Sequence, residues 1–158
     1  SQEFTVQTGV RTFEAAAYLR RCGADITRIR KIFRENFKDY QAKAAAISSA
    51  EIYRDAYAFS TIDPKGLESP TVVCAQAANE LLNIRGIKAS IVLTLYNDII
   101  YVSARSIDEM NVQVLMEKLG GGGHRTIAGA QLREGSLPEA IATIKQAIDE
   151  MIKEGEAS

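Results

Sequence analysis

Two apolar runs near the middle of the chain, separated by a two-residue polar break, limit its fold more than any other feature. The first covers residues 87–95 and the second runs from Ile99 to Arg105, with Asn97-Asp98 between them. Two apolar strands joined by a polar break of this length are the pattern of a β-hairpin. The centre of the chain is therefore predicted to be β-sheet.

Helical patterns lie on both sides of this hairpin. Ser69-Pro70 predicts a helix to about Leu82, with Ser as N-cap and Pro at the first helical position. Capping boxes at Ser106 and Ser136 predict two later helices. The remaining predicted elements are helices from Thr12 to Arg21, from Asp25 and from about Asp39 to Glu51, and strands from Tyr53 to Thr61 and from Thr126 to Leu132. The order is helices first and then a mixed α/β pattern.

The composition is that of an ordinary globular protein and excludes several classes. The 158 residues are 46% hydrophobic and 25% charged, and the net charge of −1 gives no bulk signal for nucleic-acid binding. The charge is uneven, because residues 1–54 carry ten Lys/Arg and six Asp/Glu while residues 55–158 carry nine and fourteen. Cys22 and Cys74 have no metal-site spacing. No signal peptide or membrane-spanning run is visible.

The most unusual segment is Gly120 to Gly123 followed by His124, the only histidine of the chain. Glycine allows left-handed backbone and close approach of a ligand, and freed backbone N–H groups can form an anion-binding concavity. A helix C-cap with a solvated histidine explains one glycine but not four. The run therefore predicts a ligand-contacting loop, and it is not a Walker A motif because no Lys-Ser/Thr follows.

Two further polar features lie close to this run in the predicted order. Ser103 and Arg105 point to the same face of a strand, and an Arg beside a hydroxyl suits a phosphate. Asn111, near the start of the following helix, can bind a base edge or a sugar hydroxyl. Each of these two features alone is better explained as a solvated surface position, but short connections allow all three features to converge on one pocket. No nucleophile set, carboxylate cluster or metal cluster accompanies them, so the sequence predicts recognition more clearly than catalysis.

These residues resemble a known family. Ser103 to Ser106, Asn111-Val112 and Gly120 to His124 with Ala128-Gly129 are similar to the DHH-associated C-terminal domain of DHH phosphoesterases. That family includes RecJ-type exonucleases, oligoribonuclease/pAp phosphatases and cyclic-di-AMP phosphodiesterases. Its signature is close to G-G-G-H-x-x-A-A-G, and Ile127 stands where the first Ala is usual, which is expected to alter the packing behind the loop. The implied fold is α/β, a mixed β-sheet packed with helices.

A second segment narrows the resemblance. Thr8 to Ala16 is similar to the end of the catalytic DHH domain, and the combination is most similar to membrane-anchored cyclic-di-AMP phosphodiesterases of the GdpP/YybT type. The resemblance implies a remnant of the DHH lobe over residues 1–38, a connector helix over 39–52 and the substrate-binding domain over 53–158. It also implies a bacterial, cytoplasmic domain whose parent is anchored through segments absent from this chain.

The same resemblance implies an activity for the parent protein and a binding role for this chain. The parent would hydrolyse cyclic-di-AMP to pApA with Mn²⁺, whereas this chain would hold no metal or catalytic residue and would be inactive alone. Its partners would be a cyclic or linear dinucleotide and the missing DHH lobe. Substrate contacts are assigned to Ser103, Arg105, Asn111, Gly121, Gly122, Gly123 and His124. A single-stranded nucleic-acid-binding module of a RecJ-like exonuclease or oligoribonuclease remains the alternative, and a homodimer remains open.

Overall fold

A computed structural model describes residues 36–155, together with residues 14–15, 17–18 and 26–28, which are helical. The helices predicted from Thr12 and Asp25 otherwise lie outside the described residues. In chain order, the elements within residues 36–155 are α1 (Phe37–Ser48), β1 (Glu51–Tyr53), β2 (Tyr57–Thr61), α2 (Pro70–Leu81), β3 (Ala89–Tyr96), β4 (Ile99–Ser106), α3 (Val112–Glu117), β5 (Gly122–Gly123), β6 (Ile127–Leu132) and α4 (Leu137–Glu154).

The strands form one six-stranded sheet in the order β1-β2-β3-β4-β6-β5. β2 and β3 are parallel, and every other neighbouring pair is antiparallel. The predicted central hairpin is β3–β4, with Tyr96 opposite Ile99. Asn97 and Asp98 make its turn at φ of 51° and 63°, the left-handed backbone that a two-residue hairpin turn requires. The predicted α/β fold with a mixed sheet is confirmed.

Two local predictions are wrong. The strand predicted from Tyr53 to Thr61 is a hairpin, β1–β2, because Arg54 and Asp55 adopt φ of 49° and 60° and reverse the chain. Ser106 does not cap a helix. It is the last residue of β4, and its hydroxyl donates to the carbonyl oxygen of Met110 at 2.9 Å, so the next helix begins only at Val112.

The other two helix starts differ in how they are capped. The Ser136 hydroxyl accepts from the N–H of Glu139 at 3.3 Å, as the capping box predicts. α2 begins at Pro70 as predicted, but the Ser69 side chain makes no capping hydrogen bond. α1 begins two residues before its predicted start, with the Asn36 side chain accepting from the N–H of Lys38.

The two faces of the sheet are covered to different extents. α3 and α4 pack on one face over a core that includes Ile91, Leu93, Val102, Leu115 and Ile144. α1 and α2 pack on the other face over a second core that includes Ala58, Val73, Ala77, Leu81 and Val92. On that second face the helices reach β4. Past the point that the helices reach, this face carries the odd-numbered residues of β4 and β6, which are half-buried or exposed. This part of the face is open.

Candidate functional site

The open part of this face forms a groove of about 520 Å³ beside the N-terminus of α2. Its lining comes from α2, β4, β6, the residue just beyond β6 and the turn after α3. The polar side chains that line it are Thr71, Tyr101, Ser103, Gln131 and Arg133. Of the residues predicted as substrate contacts, Ser103 and Gly121 are part of this lining.

A row of three paired residues crosses the sheet at the groove; Ser103 and Gly129 line the groove, and Gly122 continues the row toward the edge of the sheet. Ser103 of β4 lies opposite Gly129 of β6, and Gly129 lies opposite Gly122 of β5. The only side chain in this row is one hydroxymethyl group. A ligand can therefore come very close to the backbone here, and a hydroxyl is available at one end of the row.

The four glycines have different structural roles. Gly120 has φ of 82° and follows the last turn of α3. A Cβ on Gly121 would overlap the Gly129 carbonyl oxygen and lie 2.7 Å from the Ala130 Cα. A Cβ on Gly123, where φ is 144°, would lie 2.5 Å from the Ala128 Cα. A Cβ on Gly122 would meet nothing within 4 Å. Packing thus explains Gly121 and Gly123, and a left-handed backbone explains Gly120, whereas Gly122 has neither reason to be glycine.

The glycine run is also more ordered than a simple loop. Gly122–Gly123 is a short strand at the edge of the sheet. The N–H of Gly121 donates to the Met116 carbonyl oxygen at 2.8 Å, so the prediction that Gly121 offers a backbone donor to a ligand is wrong. The clearance that Gly121 is predicted to offer a ligand stays a prediction.

His124 continues from β5 into the turn before β6. Its backbone N–H donates to the Ile127 carbonyl oxygen at 2.7 Å, and the residue is exposed. It lies next to the edge strand and not in the lining of the groove. Its predicted contact with phosphate or base stays a prediction.

Arg105 lies on the same side of β4 as Ser103 but turns toward α2. Its Nε donates to Asn79 Oδ1 at 3.1 Å, and Nη1 donates to the Ala104 carbonyl oxygen at 2.9 Å. Burial lowers the pKa of Arg105 from its ordinary value. These bonds use two of the five N–H donors of a guanidinium, so others are available for an anion.

Ile127, opposite Arg105, is 52% exposed, so the prediction that it alters the packing behind the glycine run is wrong.

Asn111 lies apart from the groove. Its Oδ1 accepts from the N–H of Val114 at 3.2 Å, which makes Asn111 the N-cap of α3. It borders a small cavity of about 10 Å³ with Tyr57 and Ile148, in the core under the opposite face. The structure therefore does not bring Asn111 together with Ser103 and Gly121.

Sequence reasoning missed several groove residues. The two-residue period that joined Ser103 to Arg105 extends back to Tyr101, and this signal was present in the sequence. Gln131 and Arg133 depend on the pairing of β6 with β4, which one sequence does not specify. Asn79, which orients Arg105, is a helix residue with no sequence signal of its own.

The described residues contain neither a metal-binding cluster nor a membrane-spanning helix. Within residues 36–155 and the three short N-terminal stretches, no group of three His, Cys, Asp or Glu side chains could hold a metal ion. Over the same residues, no helix has the length and apolar character needed to cross a membrane. The residues described do not fit a Mn²⁺ site, so we assign no metal ligand to them.

Comparison with known proteins gives the family. The model of the DHHA1 domain matches residues 54–154. This chain therefore belongs to the DHHA1 domain family, in agreement with the resemblance drawn from its motifs.

Curated relatives extend the match to nearly the whole chain. The chain is 43% identical over 150 residues to the cyclic-di-AMP phosphodiesterase PdeA of Listeria monocytogenes, covering 94% of this chain and 23% of the relative. It is 39% identical over 156 residues to the cyclic-di-AMP phosphodiesterase GdpP of Geobacillus thermodenitrificans, covering 98% of this chain and 24% of the relative. The chain thus spans about a quarter of the length of these relatives.

Solved structures share the fold at lower identity. An exopolyphosphatase-related protein from Bacteroides fragilis superimposes with a TM-score of 0.69 at 20% identity, over 85% of this chain and 42% of that one. The C-Ala domain of alanyl-tRNA synthetase from Aquifex aeolicus superimposes with a TM-score of 0.51 at 16% identity, over 63% of this chain and 96% of the domain. At these identities the likeness concerns the fold alone.

Proposed function

We propose that this chain is the nucleotide-binding lobe of a phosphodiesterase that hydrolyses cyclic-di-AMP to pApA. The row of Ser103, Gly129 and Gly122 carries the proposal, because it is a smooth, open strip of sheet in which Gly122 has no steric reason to be glycine. The names of the relatives PdeA and GdpP supply the substrate class.

The chemistry of the row suits a phosphate. Ser103 supplies a hydroxyl donor, and the unused guanidinium donors of Arg105 lie two residues along the same strand face. β5 is an edge strand, and an edge strand presents backbone N–H groups that no further strand pairs. His124 follows β5 and adds a side chain that can donate to the same anion. Asn111 has its oxygen occupied as a cap, so in this proposal it positions α3.

The chemical step is proposed to lie elsewhere in the polypeptide. A Mn²⁺ pair, when bound, would activate water for phosphodiester cleavage. Because the described residues of this chain contain no metal-ligand cluster, we assign them binding and orientation of the dinucleotide only. The metal ions are proposed to bind a second, DHH lobe of a membrane-anchored parent.

Calorimetric titration of the 158-residue chain tests this proposal. Cyclic-di-AMP and pApA should bind, and a short single-stranded oligonucleotide should bind more weakly. Ser103→Ala and Gly122→Ala should each weaken dinucleotide binding by about tenfold, since Ser103 lines the groove and Gly122 is paired with the lining residue Gly129. The control is Thr143→Ala, which removes a hydroxyl from α4 on the opposite face and should change nothing.

Two results would contradict the proposal. Tighter binding of the oligonucleotide, surviving moderate salt, would favour the nucleic-acid-binding alternative. Unchanged dinucleotide affinity in both Ser103→Ala and Gly122→Ala would remove the row from the site.

A further inference from the structure

Two side chains of the groove have no role in the phosphate contacts proposed above. Tyr101 of β4 and Gln131 of β6 lie directly opposite each other, and both line the groove. Tyr101 is half-buried and Gln131 is exposed. Among the described residues, neither side chain has a hydrogen-bond partner, whereas Gln113 on α3 is bonded to Glu117.

The pair combines two kinds of base recognition. An aromatic ring offers a stacking platform to any nucleobase. A glutamine amide presents one donor and one acceptor, which match N7 and the N6 amino group of adenine. The corresponding edge of guanine presents two acceptors and suits Arg or Lys instead. Directly opposed residues of an antiparallel pair have Cβ atoms about 5 Å apart, so a base stacked on Tyr101 has its edge beside Gln131.

The position of the pair relative to the phosphate row fits one nucleotide. Tyr101 and Ser103 lie on the same face of β4, about 7 Å apart along the strand. That separation leaves room for a ribose between a phosphate on Ser103 and a base on Tyr101. Arg133, just beyond β6, lines the same groove and supplies an exposed cation for a further phosphate.

We infer that Tyr101 and Gln131 form a base-reading subsite that selects adenine, with Tyr101 stacking on the base and Gln131 bonding to its N6/N7 edge. This inference rests on the proposed dinucleotide-binding function and adds the residues that set its base specificity. The positive end of the α2 dipole, at Thr71, favours the neighbouring phosphates and does not discriminate between bases.

The test compares dissociation constants for pApA and pGpG, measured by calorimetry on the 158-residue chain. The wild type should prefer pApA. Gln131→Ala should reduce this preference by about tenfold, because a bidentate base contact is lost. Tyr101→Ala should weaken both ligands by about tenfold, while Tyr101→Phe should keep the affinity because it keeps the ring. Gln113→Ala is the matched control and should change neither constant.

The outcomes separate this inference from the proposed function. If the wild type binds pApA and Gln131→Ala keeps the full preference, the base-reading assignment is overturned and the dinucleotide site survives. A wild-type preference for pGpG would also overturn it, since Arg133 would then be the reader. If the wild type binds neither dinucleotide, the proposed function fails and the subsite fails with it. Melting temperatures of all variants confirm that each one is folded.

Discussion

The two faces of the sheet differ in how far helices cover them, and the proposed binding site lies on the less covered face. On the α3/α4 face, β4 presents Ile100, Val102 and Ala104, all buried under helices. On the other face, the same strand presents Tyr101, Ser103 and Arg105, all half-buried, and the first two line the open groove. Because side chains alternate along a strand, the covered face fixes the register that places the groove residues. The proposed recognition site lies where the helical cover ends.

The largest loss of stability should come from a substitution on the face covered by α3 and α4. Ile144 on α4 is 0% exposed, so Ile144→Ala should lower the free energy of unfolding by about 2–5 kcal/mol through lost burial and a cavity. Ile152, on the same helix, is 45% exposed, and Ile152→Ala should cost under about 1 kcal/mol. Denaturant unfolding measures both. Equal losses would mean that α4 is not packed as described.

Two adjacent glycines, Gly121 and Gly122, should differ in how much stability is lost when each is replaced by alanine. Gly121→Ala should destabilise the fold by about 1–3 kcal/mol, because the added Cβ overlaps backbone of β6. Gly122→Ala should change stability by no more than about 0.5 kcal/mol, because its Cβ meets nothing. Thermal melts of the two variants test this contrast. A Gly122→Ala variant as unstable as Gly121→Ala would show that Gly122 is also fixed by packing.

Substitutions at the two helix caps, Ser136 and Ser69, should give a smaller difference in stability. Ser136→Ala removes the hydroxyl that accepts from the Glu139 N–H and should cost about 1 kcal/mol. Ser69→Ala should cost less than about 0.5 kcal/mol, because the Ser69 side chain makes no capping bond. Paired chemical-denaturation curves resolve the difference. A larger loss for Ser69→Ala would contradict the cap assignments.

The smallest effect concerns an exposed contact between the β1–β2 hairpin and α4. Arg54 and then Tyr53, by hydrogen bonding, hold the pKa of Asp149 below its ordinary value. A depressed folded-state pKa stabilises the fold above the unfolded pKa, and this contribution is lost as pH falls through the folded value. Asp149→Asn should therefore lower the melting temperature slightly at pH 7 and less at pH 3. A gap that widens in acid would reverse the sign of this linkage.

Local patterns predicted most of the secondary structure. The central hairpin, α2, β6 and α4 follow from periodicity, turn residues and a capping box. The two errors have different causes. Ser106 has the spacing of a capping box, yet its hydroxyl bonds to Met110 within the β4–α3 turn. Arg54-Asp55 carries no glycine, so the left-handed turn that splits the predicted strand had no marker.

The lining of the groove was also predicted only in part. Ser103 and Gly121 converge in one groove as their spacing suggested. Asn111 does not join them, because a residue at the start of a helix is equally suited to cap it. Gln131 was beyond prediction, since its position opposite Tyr101 depends on long-range strand pairing.

The most direct test of the central claim is to map where a dinucleotide binds. Amide chemical shifts of the labelled chain can be followed by NMR during titration with pApA. The largest changes should fall on Ser103, Gly121, Gly122, Gly129 and Gln131, with α4 unaffected. Changes concentrated on α4, or no changes at millimolar ligand, would contradict the assignment of recognition to the open face of the sheet.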